Sequence, residues 1–390
     1  MLLATRILRG LAAGLVTIGF PYLVLQDLGS GAFRLGAIYA GGALSTAVLA
    51  YSFGRFGSRT AKRRAYLVSL VLLPVACLLL LLPESLPLAA LASVLGGFSA
   101  TGSLASGGVG GVEMPLQSAI LSDLTTASTR TRWFSGFTFT AGISAAIGAL
   151  LAGFGDLDQV FAMAFGLSAG SFVIAFAVPV RSVSRGRLPS ASSRGVIRRF
   201  AATGVLNGFS QGLLTPFLIP FFVIFFGIAR PEMSIFTTAS SLLGTFAVLA
   251  APALEARWGW VIAIVGTRGV AAGLAALMPF VPLVPAVGMY IALPAFRVAA
   301  LPAQQSALMG HLPHSDRSEG AGTNQAARVG AASAATALGG FALEDVAVAV
   351  PFLGYAFALA VNAYLYSRFF GWHGERIATV DERSPPELSR

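Results

Sequence analysis

The chain has 390 residues, of which 56% are hydrophobic and only 11% charged, with a formal net charge of +10. A soluble chain has roughly 25% charged residues, so this chain cannot cover a water-facing surface, and disordered, collagen-like and disulfide-stabilised classes are also excluded. Its apolar runs are continuous and about 20 residues long, as in membrane-spanning helices and unlike the short alternating strands of a β-barrel. The sequence therefore predicts an all-α polytopic membrane protein.

Twelve apolar segments follow one another along the chain. Their approximate bounds are 7–27, 34–54, 65–82, 88–123, 133–153, 159–179, 200–227, 234–254, 260–280, 284–310, 320–342 and 346–369. A basic, Ser-, Gly- and Pro-containing stretch at 180–199 separates six segments from six. The predicted organisation is an N-terminal six-helix bundle over 1–180, a cytoplasmic basic linker over 181–199, a second six-helix bundle over 200–370 and a cytoplasmic tail over 371–390.

The fourth segment is too long for one membrane crossing. Its 36 residues would form a helix of about 54 Å, whereas the hydrocarbon core is about 30 Å thick. The stretch 101–111 reads TGSLASGGVGG, which favours a break or small insertion in this helix. The alternative is a longer loop before an ordinary helix. Pro216, Pro220 and Pro294 predict bends in the seventh and tenth segments.

Two ordered sets of residues recur in the second half of the chain. Leu8, Gly10, Gly14 and Leu15 recur 198 residues later as Leu206, Gly208, Gly212 and Leu213. Pro115 and Gln117 recur 187 residues later as Pro302 and Gln304. The repeats predict that the twelve helices form two pseudo-symmetric six-helix bundles.

The basic residues are distributed unevenly between the two sides. With the N-terminus placed in the cytoplasm, 21 lie in cytoplasmic segments and only Arg34 and Arg230 lie in the opposite loops, which hold acids instead. By the positive-inside rule, this predicts a multi-pass protein of the cell (inner) membrane with both termini cytoplasmic. The positive charge thus reports orientation, and we predict no nucleic-acid partner.

Signatures of catalysis are missing from the sequence. It contains no HExxH, GxSxG or GxxxxGK[ST] motif, and its single cysteine, Cys77, lies in an apolar run. We therefore predict neither an enzyme nor a cofactor or metal site.

The loop between the second and third segments carries a recognisable motif. The residues from Gly54 to Arg64 read GRFGSRTAKRR and are similar to the GxxxDRxGRR signature of the major facilitator superfamily. The twelve-segment pattern with a basic central loop also resembles that family. The resemblance implies a gating loop, with an acid that helps to hold the cytoplasmic side closed. Its residues here would be Gly54, Ser58, Arg59, Lys62, Arg63, Arg64 and Asp123.

Two departures from the family pattern bear on mechanism. Ser58 replaces the acid of the motif, so the latch is absent or Asp123 supplies the acid from the end of the fourth segment. The fifth segment lacks the Gly-Pro pair of drug–proton antiporters, and the fourth lacks their arginine. The sequence does not favour the drug-antiporter class.

Charged residues deep in a membrane are costly and usually functional. Glu113 is the only acid well inside a segment, and we predict that it couples transport to protons, because a carboxyl group in a poorly hydrated cavity can load and release a proton. Arg297 would bind an anionic group of the substrate. A static Glu113–Arg297 ion pair is the alternative. Arg268 and Arg328 are expected to snorkel or to pair.

Polar faces accompany these two charges. Tyr290, Arg297 and Gln304 are seven residues apart, while Glu113 and Gln117, like Asn207 and Gln211, are spaced i, i+4. In the family, the first, fourth, seventh and tenth helices surround the substrate path. The predicted substrate-binding residues are Arg297, Tyr290, Gln304, Gln117, Asn207 and Gln211.

These features predict a secondary active transporter that moves a small solute by alternating access, coupled to protons, with uptake or efflux left open. The alternatives are a membrane enzyme, for which no residue cluster exists, and a permease-like sensor or assembly factor without transport. Its predicted partners are a small-molecule substrate, protons and membrane lipids, and the expected state is a monomer.

Overall fold

The computed structural model describes residues 1–54, 59–82, 85–98, 117, 120–121, 127–178, 191–299 and 317–371. Throughout this part of the chain the secondary structure is helical, without strands. The N-terminal half contains α1 (Leu2–Tyr22), α2 (Ala32–Gly54), α3 (Arg59–Leu79), α4 (Leu86–Gly96), α5 (Ala127–Leu151) and α6 (Leu157–Ala175). The C-terminal half contains α7 (Ala191–Leu214), α8 (Leu218–Phe226), α9 (Arg230–Ala247), α10 (Ala251–Trp258), α11 (Trp260–Leu277), α12 (Leu283–Ala299), α13 (Arg317–Phe341) and α14 (Ala349–Phe370).

Eight of the described spans are long and apolar enough to cross a membrane. They comprise α1, α2, α6, α9, α11, α13, α14 and the continuous span Arg194–Phe226, which joins α7 to α8. Three shorter apolar helices lie in α4, α5 and α12. The predicted fold class of a polytopic helical membrane protein is confirmed.

The span from α7 to α8 changes helix type at its centre. Residues Thr215–Phe217 form a 3₁₀ turn. Pro216 has no backbone N–H to donate, so it cannot continue the α-helical hydrogen-bond ladder. The sequence predicts a bend at this proline, and the change from α-helix to 3₁₀ turn lies there.

Two helix boundaries differ from the predicted segments. The helix α4 ends at Gly96, where Gly97 adopts a positive φ of +62°. The fourth segment is therefore interrupted before the glycine-rich stretch 101–111, which lies outside the described residues. The helix α7 begins at Ala191, so the last nine residues of the predicted linker over 181–199 are helical. A polar, arginine-containing start of a helix does not show in hydropathy, although arginine favours helix.

Paired glycines bring helices together in the same way in both halves. A methyl group at Gly10 or Gly14 of α1 would collide with Ser144 or with the backbone at Ala145 on α5. At Gly208 or Gly212 of α7 it would collide with the backbone at Arg328 or Ala332 on α13. Small residues permit this close approach of membrane helices. These are the glycines of the repeat, so its structural meaning is confirmed.

The charged side chains at the helix ends define two faces. The basic end is marked by Arg63, Arg64, Arg194, Arg198, Arg199, Arg257 and Arg368, and the acidic end by Asp27, Asp156, Asp158, Glu232, Glu344 and Asp345. Both names are kept below for these two sets of residues.

The two halves are joined near the acidic end. The Tyr22 hydroxyl donates to the carbonyl of Ile228 at 2.8 Å. The backbone N–H of Phe33, at the start of α2, donates to the Glu344 carboxylate at 2.6 Å, where a negative charge also suits the helix dipole.

Further contacts join the halves along α5 and α9 and along α2 and α13. Arg230 donates to the carbonyl of Gly155, and the Ser333 hydroxyl donates to that of Ala40 at 2.8 Å. Apolar packing reinforces these bonds, because one buried cluster contains residues of α1 and α2 together with residues of α8, α12 and α14. The acidic end is therefore tied by hydrogen bonds and by a shared core.

Candidate functional site

Arg297 extends from α12 towards the 3₁₀ turn between α7 and α8. Its guanidinium Nη1 donates to the Thr215 hydroxyl at 2.6 Å. The side chain is half-buried. The turn at Pro216 places Thr215 within reach of α12, so the break in the seventh span creates the contact. The sequence predicted Arg297 in this region but did not single out Thr215.

A second guanidinium, that of Arg328 on α13, lies near Arg297. Arg328 donates to Gln325 Oε1 at 2.9 Å and, more weakly, to Gln211 Oε1 at 3.5 Å. The Gln211 amide donates in turn to Asn207 Oδ1 at 3.1 Å. This last bond confirms that Asn207 and Gln211 share one face of α7.

The two arginines contact the same part of the α7–α8 span, because their partners Thr215 and Gln211 are four residues apart. Among the carboxylate side chains that the structure describes, none forms an ion pair with either of them. An arginine near the centre of a membrane helix costs about 2.5–3.5 kcal/mol by insertion scales. The concentration of positive charge is therefore the main electrostatic feature of this site.

Tyr355 of α14 is a further polar residue on the Arg297 side of this site. It is fully buried, and its hydroxyl has no hydrogen-bond partner among the described residues. The hydroxyl lies within electrostatic range of both Arg297 and Arg268. Buried hydroxyls are usually hydrogen-bonded, so this donor stands out.

Arg268 of α11 belongs to a closed network instead. It donates to Asn362 Oδ1 and lies over the Tyr366 ring, 4.7 Å from its centroid. Asn362 donates to the carbonyl of Thr203 at 2.6 Å, and the Thr203 hydroxyl donates to the Tyr366 hydroxyl at 3.3 Å. Arg268 is therefore paired within its own half, which is one of the two outcomes expected from the sequence.

Tyr290 lies seven residues before Arg297 on α12 but has a different environment. It is buried, its hydroxyl shares a hydrogen bond of 2.8 Å with Thr237 of α9, and its ring meets Phe222 of α8 edge-on at 5.2 Å. These contacts bind α12 to two neighbouring helices. A direct contact with substrate stays a prediction for this residue.

In the N-terminal half, Gln117 is buried and accepts a hydrogen bond from Arg6 at 3.4 Å. Arg6 also lies over the Phe137 ring, 5.1 Å from its centroid. Arg9 donates to the carbonyl of Leu70 at 3.3 Å. Both arginines are at most 3% exposed. The sequence assigned them to a cytoplasmic segment, but the structure places them inside the helix bundle.

Several predicted site residues lie outside the described part of the chain: Glu113, Gln304, Ser58 and Asp123. In the predicted gating loop, Gly54 is the last residue of α2, while Arg59 and Lys62 lie in the first turns of α3. Arg63 donates to the carbonyl of Phe176 at 3.3 Å, and Arg64 is exposed. The described residues bring no three His, Cys, Asp or Glu side chains together as a metal site.

The described residues thus form a helical membrane protein in two repeated halves, with arginines held inside each half. The sequence model of the Major Facilitator Superfamily matches residues 2–342. The chain belongs to this superfamily, and a transporter rather than an enzyme is the indicated class. A search of curated protein sequences gave no significant match.

Solved transporters share the fold over nearly their whole length. A point mutant of the nucleoside transporter NupG superposes with a TM-score of 0.73 at 14% identity, over 95% of this chain and 98% of that one. The inward-open xylose transporter XylE from E. coli gives 0.69 at 15% identity, over 94% and 95%. The human organic anion transporter MFSD10 gives 0.67 at 14% identity, over 94% and 99%. At these identities the likeness shows the fold and not the substrate.

Proposed function

We propose that the chain is a secondary active transporter that moves a small solute across the membrane by alternating access between its two halves. The observation that carries the proposal is the arrangement of polar groups: Arg297 and Arg328 are half-buried inside the helix bundle, and the two halves meet at the acidic end. The similar structures named for nucleoside, xylose and organic anion transport support the class. Its partners in this proposal are the solute, protons and lipids, and a monomer suffices.

We assign the basic end to the cytoplasm of a cell inner membrane, with both chain termini on that side. Positive residues next to membrane helices remain cytoplasmic, and the basic end carries the arginines of α3, α7 and α14. With this orientation, the contacts of Tyr22 with Ile228 and of Phe33 with Glu344 seal the outer side. The loop from Gly54 to Arg64 would gate the cytoplasmic side, with Asp123 supplying the acid that Ser58 lacks.

Proton coupling is assigned to Glu113. Its i, i+4 spacing to Gln117 predicts that both occupy one helix face, and Gln117 accepts from Arg6. A buried arginine one turn from a carboxyl group favours the ionised carboxylate, and removal of that influence by a conformational change would favour the protonated form. We therefore expect the positive charge of Arg6 to control when Glu113 releases and binds its proton. Arg297 has a different partner, the Thr215 hydroxyl.

Substrate contact is assigned to Arg297, Asn207, Gln211 and Gln117. Gln304, seven residues after Arg297 on the tenth segment and the repeat counterpart of Gln117, is a further predicted contact. Tyr290 contributes by holding α12 against α9 and α8. The set comes from both halves, as alternating access requires of a site that each half must release in turn.

The test is uptake into proteoliposomes driven by an imposed pH gradient. Glu113→Gln should abolish gradient-driven accumulation but retain exchange of substrate across the membrane, because exchange needs no net proton movement. Glu232→Gln is the matched control, since Glu232 is exposed at the acidic end. Unchanged accumulation by the Glu113→Gln variant would contradict the coupling role. If the wild type neither takes up nor exchanges any solute, the alternative of a sensor without transport is favoured.

A further inference from the structure

Buried arginines of the C-terminal half fall into two kinds. Arg268 is 6% exposed, and Asn362 and the Tyr366 ring engage it. Arg297 and Arg328 are only half-buried, and their described hydrogen bonds run to neutral groups, Thr215, Gln325 and Gln211. A structural role explains the first kind. It leaves unexplained why two positive side chains contact the same part of the α7–α8 span when no described carboxylate pairs with either of them.

We infer that Arg297 and Arg328 form a two-arginine clamp for an oxyanion, so that the transported solute carries a carboxylate or phosphate group. The inference rests on the proposed transport function and specifies its substrate class. A planar guanidinium donates two parallel hydrogen bonds to such a group. One anion bound between two guanidinium groups compensates both positive charges.

The surroundings suit an anion rather than a cation. Thr215 and Gln211 orient the two guanidinium groups, and the Tyr355 hydroxyl supplies a further donor within electrostatic range of Arg297. The clamp joins three elements, namely the turn between α7 and α8, α12 and α13. All three lie in the C-terminal half, so the clamp moves as part of that half during alternating access.

Binding can be measured with probes that differ in charge but not in shape. The probes are succinate with succinamide, nicotinate with nicotinamide, glycerol 3-phosphate with glycerol, and inorganic phosphate alone. Each is titrated against purified protein in nanodiscs, and the readouts are thermal stabilisation and isothermal titration calorimetry. At least one anion should bind, its neutral partner should bind at least about tenfold more weakly, and the carboxylate and phosphate arms distinguish the two sources of oxyanion.

Two charge-removing variants test the clamp. Arg297→Gln and Arg328→Gln should each raise the Kd of the bound anion at least about tenfold. Arg34→Gln also removes one positive charge, but Arg34 is exposed at the start of α2, so this control should keep the wild-type Kd. Arg328→Lys should give an intermediate Kd, because lysine keeps the charge but loses the bidentate geometry.

Gln211→Glu tests the same site without removing an arginine. The new carboxylate would take the place of the Gln211 oxygen that Arg328 contacts at 3.5 Å and would act as a tethered anion. We expect a higher unfolding temperature together with loss of anion binding, a combination that misfolding cannot produce. The isosteric change also provides a readout if either glutamine variant fails to fold.

The inference is overturned if no anion of the panel binds, if the neutral partners bind as tightly, or if Arg328→Gln keeps the anion Kd. Uptake of a neutral solute into proteoliposomes, with no anion bound, would overturn the clamp and leave the transporter intact. Binding of an anion that is never transported would support the clamp and contradict the transport function, so the two proposals fail separately.

Discussion

The two halves of the chain use one packing frame but place their buried charges differently. Gly10 and Gly14 bring α1 against α5, and Gly208 and Gly212 bring α7 against α13. Hydrogen bonding repeats as well, since Ser171 of α6 donates to the carbonyl of Thr5 at 3.1 Å and Asn362 of α14 donates to that of Thr203 at 2.6 Å. The frame is thus common to both repeats.

The charges depart from this symmetry. The buried arginines of the N-terminal half, Arg6 and Arg9, both lie on α1, whereas those of the C-terminal half lie on α11, α12 and α13. A packing frame can be duplicated because glycine contacts depend only on helix geometry. Charges in a membrane are retained where they do something specific. The difference separates the two charge-based proposals: the arginines of the proposed oxyanion site lie in the C-terminal half, whereas Glu113, proposed for proton coupling, belongs to the N-terminal half.

The largest expected effect comes from breaking the shared frame. Gly14→Leu and Gly212→Leu should each cost at least about 3 kcal/mol of the free energy of unfolding, because the added side chain meets backbone that cannot move aside. Denaturant titration in detergent micelles measures the cost. If the frame is common to both halves, the two losses should be similar.

Matched controls exist in both halves. No neighbouring atom lies close to Gly166 of α6 or Gly273 of α11, and both residues are exposed. Gly166→Leu and Gly273→Leu should therefore leave stability unchanged or raise it slightly, through better helix propensity. Equal losses at all four positions would show that helix propensity, and not close packing, controls the result.

A second prediction separates the halves through their equivalent hydrogen bonds. Ser171→Ala removes one neutral bond and should cost about 0.5–1.5 kcal/mol. Asn362→Leu removes the bond to Thr203 and also the acceptor of the Arg268 guanidinium, so it should cost about 1.5–3 kcal/mol. The same unfolding titration compares them. Equal costs would mean that the Asn362 contact with Arg268 does not stabilise the protein. The two hydrogen-bond networks would then contribute equally to the free energy of unfolding.

Sequence patterns predicted most of the fold because hydropathy and helix length are dictated by the bilayer itself. The glycine repeat was also informative, since Gly10, Gly14, Gly208 and Gly212 each lie where a neighbouring helix approaches closely. The start of α7 at Ala191 was missed, because the polar end of a helix outside the membrane has no hydropathy signal. The positions of Arg6 and Arg9 were missed for the opposite reason: a basic residue near the chain terminus is normally exposed.

The site was only partly predictable for a different physical reason. Periodicity places residues on one helix face, as it did for Asn207 and Gln211, but it does not say which neighbouring helix that face meets. The contact of Arg297 with Thr215 depends on a 3₁₀ turn in another span. Asn362 and Tyr355, isolated polar residues in the apolar twelfth segment, were the available signal for α14, since buried polar side chains need a partner.

The smallest expected effect on stability belongs to Tyr355→Phe. Its hydroxyl has no hydrogen-bond partner among the described residues, so removal should leave the free energy of unfolding unchanged or raise it by up to about 1 kcal/mol. Tyr366→Phe is the contrasting variant, because it removes a hydroxyl that the Thr203 hydroxyl contacts at 3.3 Å and should cost about 0.5–1.5 kcal/mol.

Anion binding and uptake are then measured on the same preparations. A stable Tyr355→Phe protein with weakened anion binding would place the hydroxyl in the oxyanion site. A destabilised protein with normal binding would show that Tyr355 belongs to the packing frame, and the asymmetry between the halves would then rest on the arginines alone.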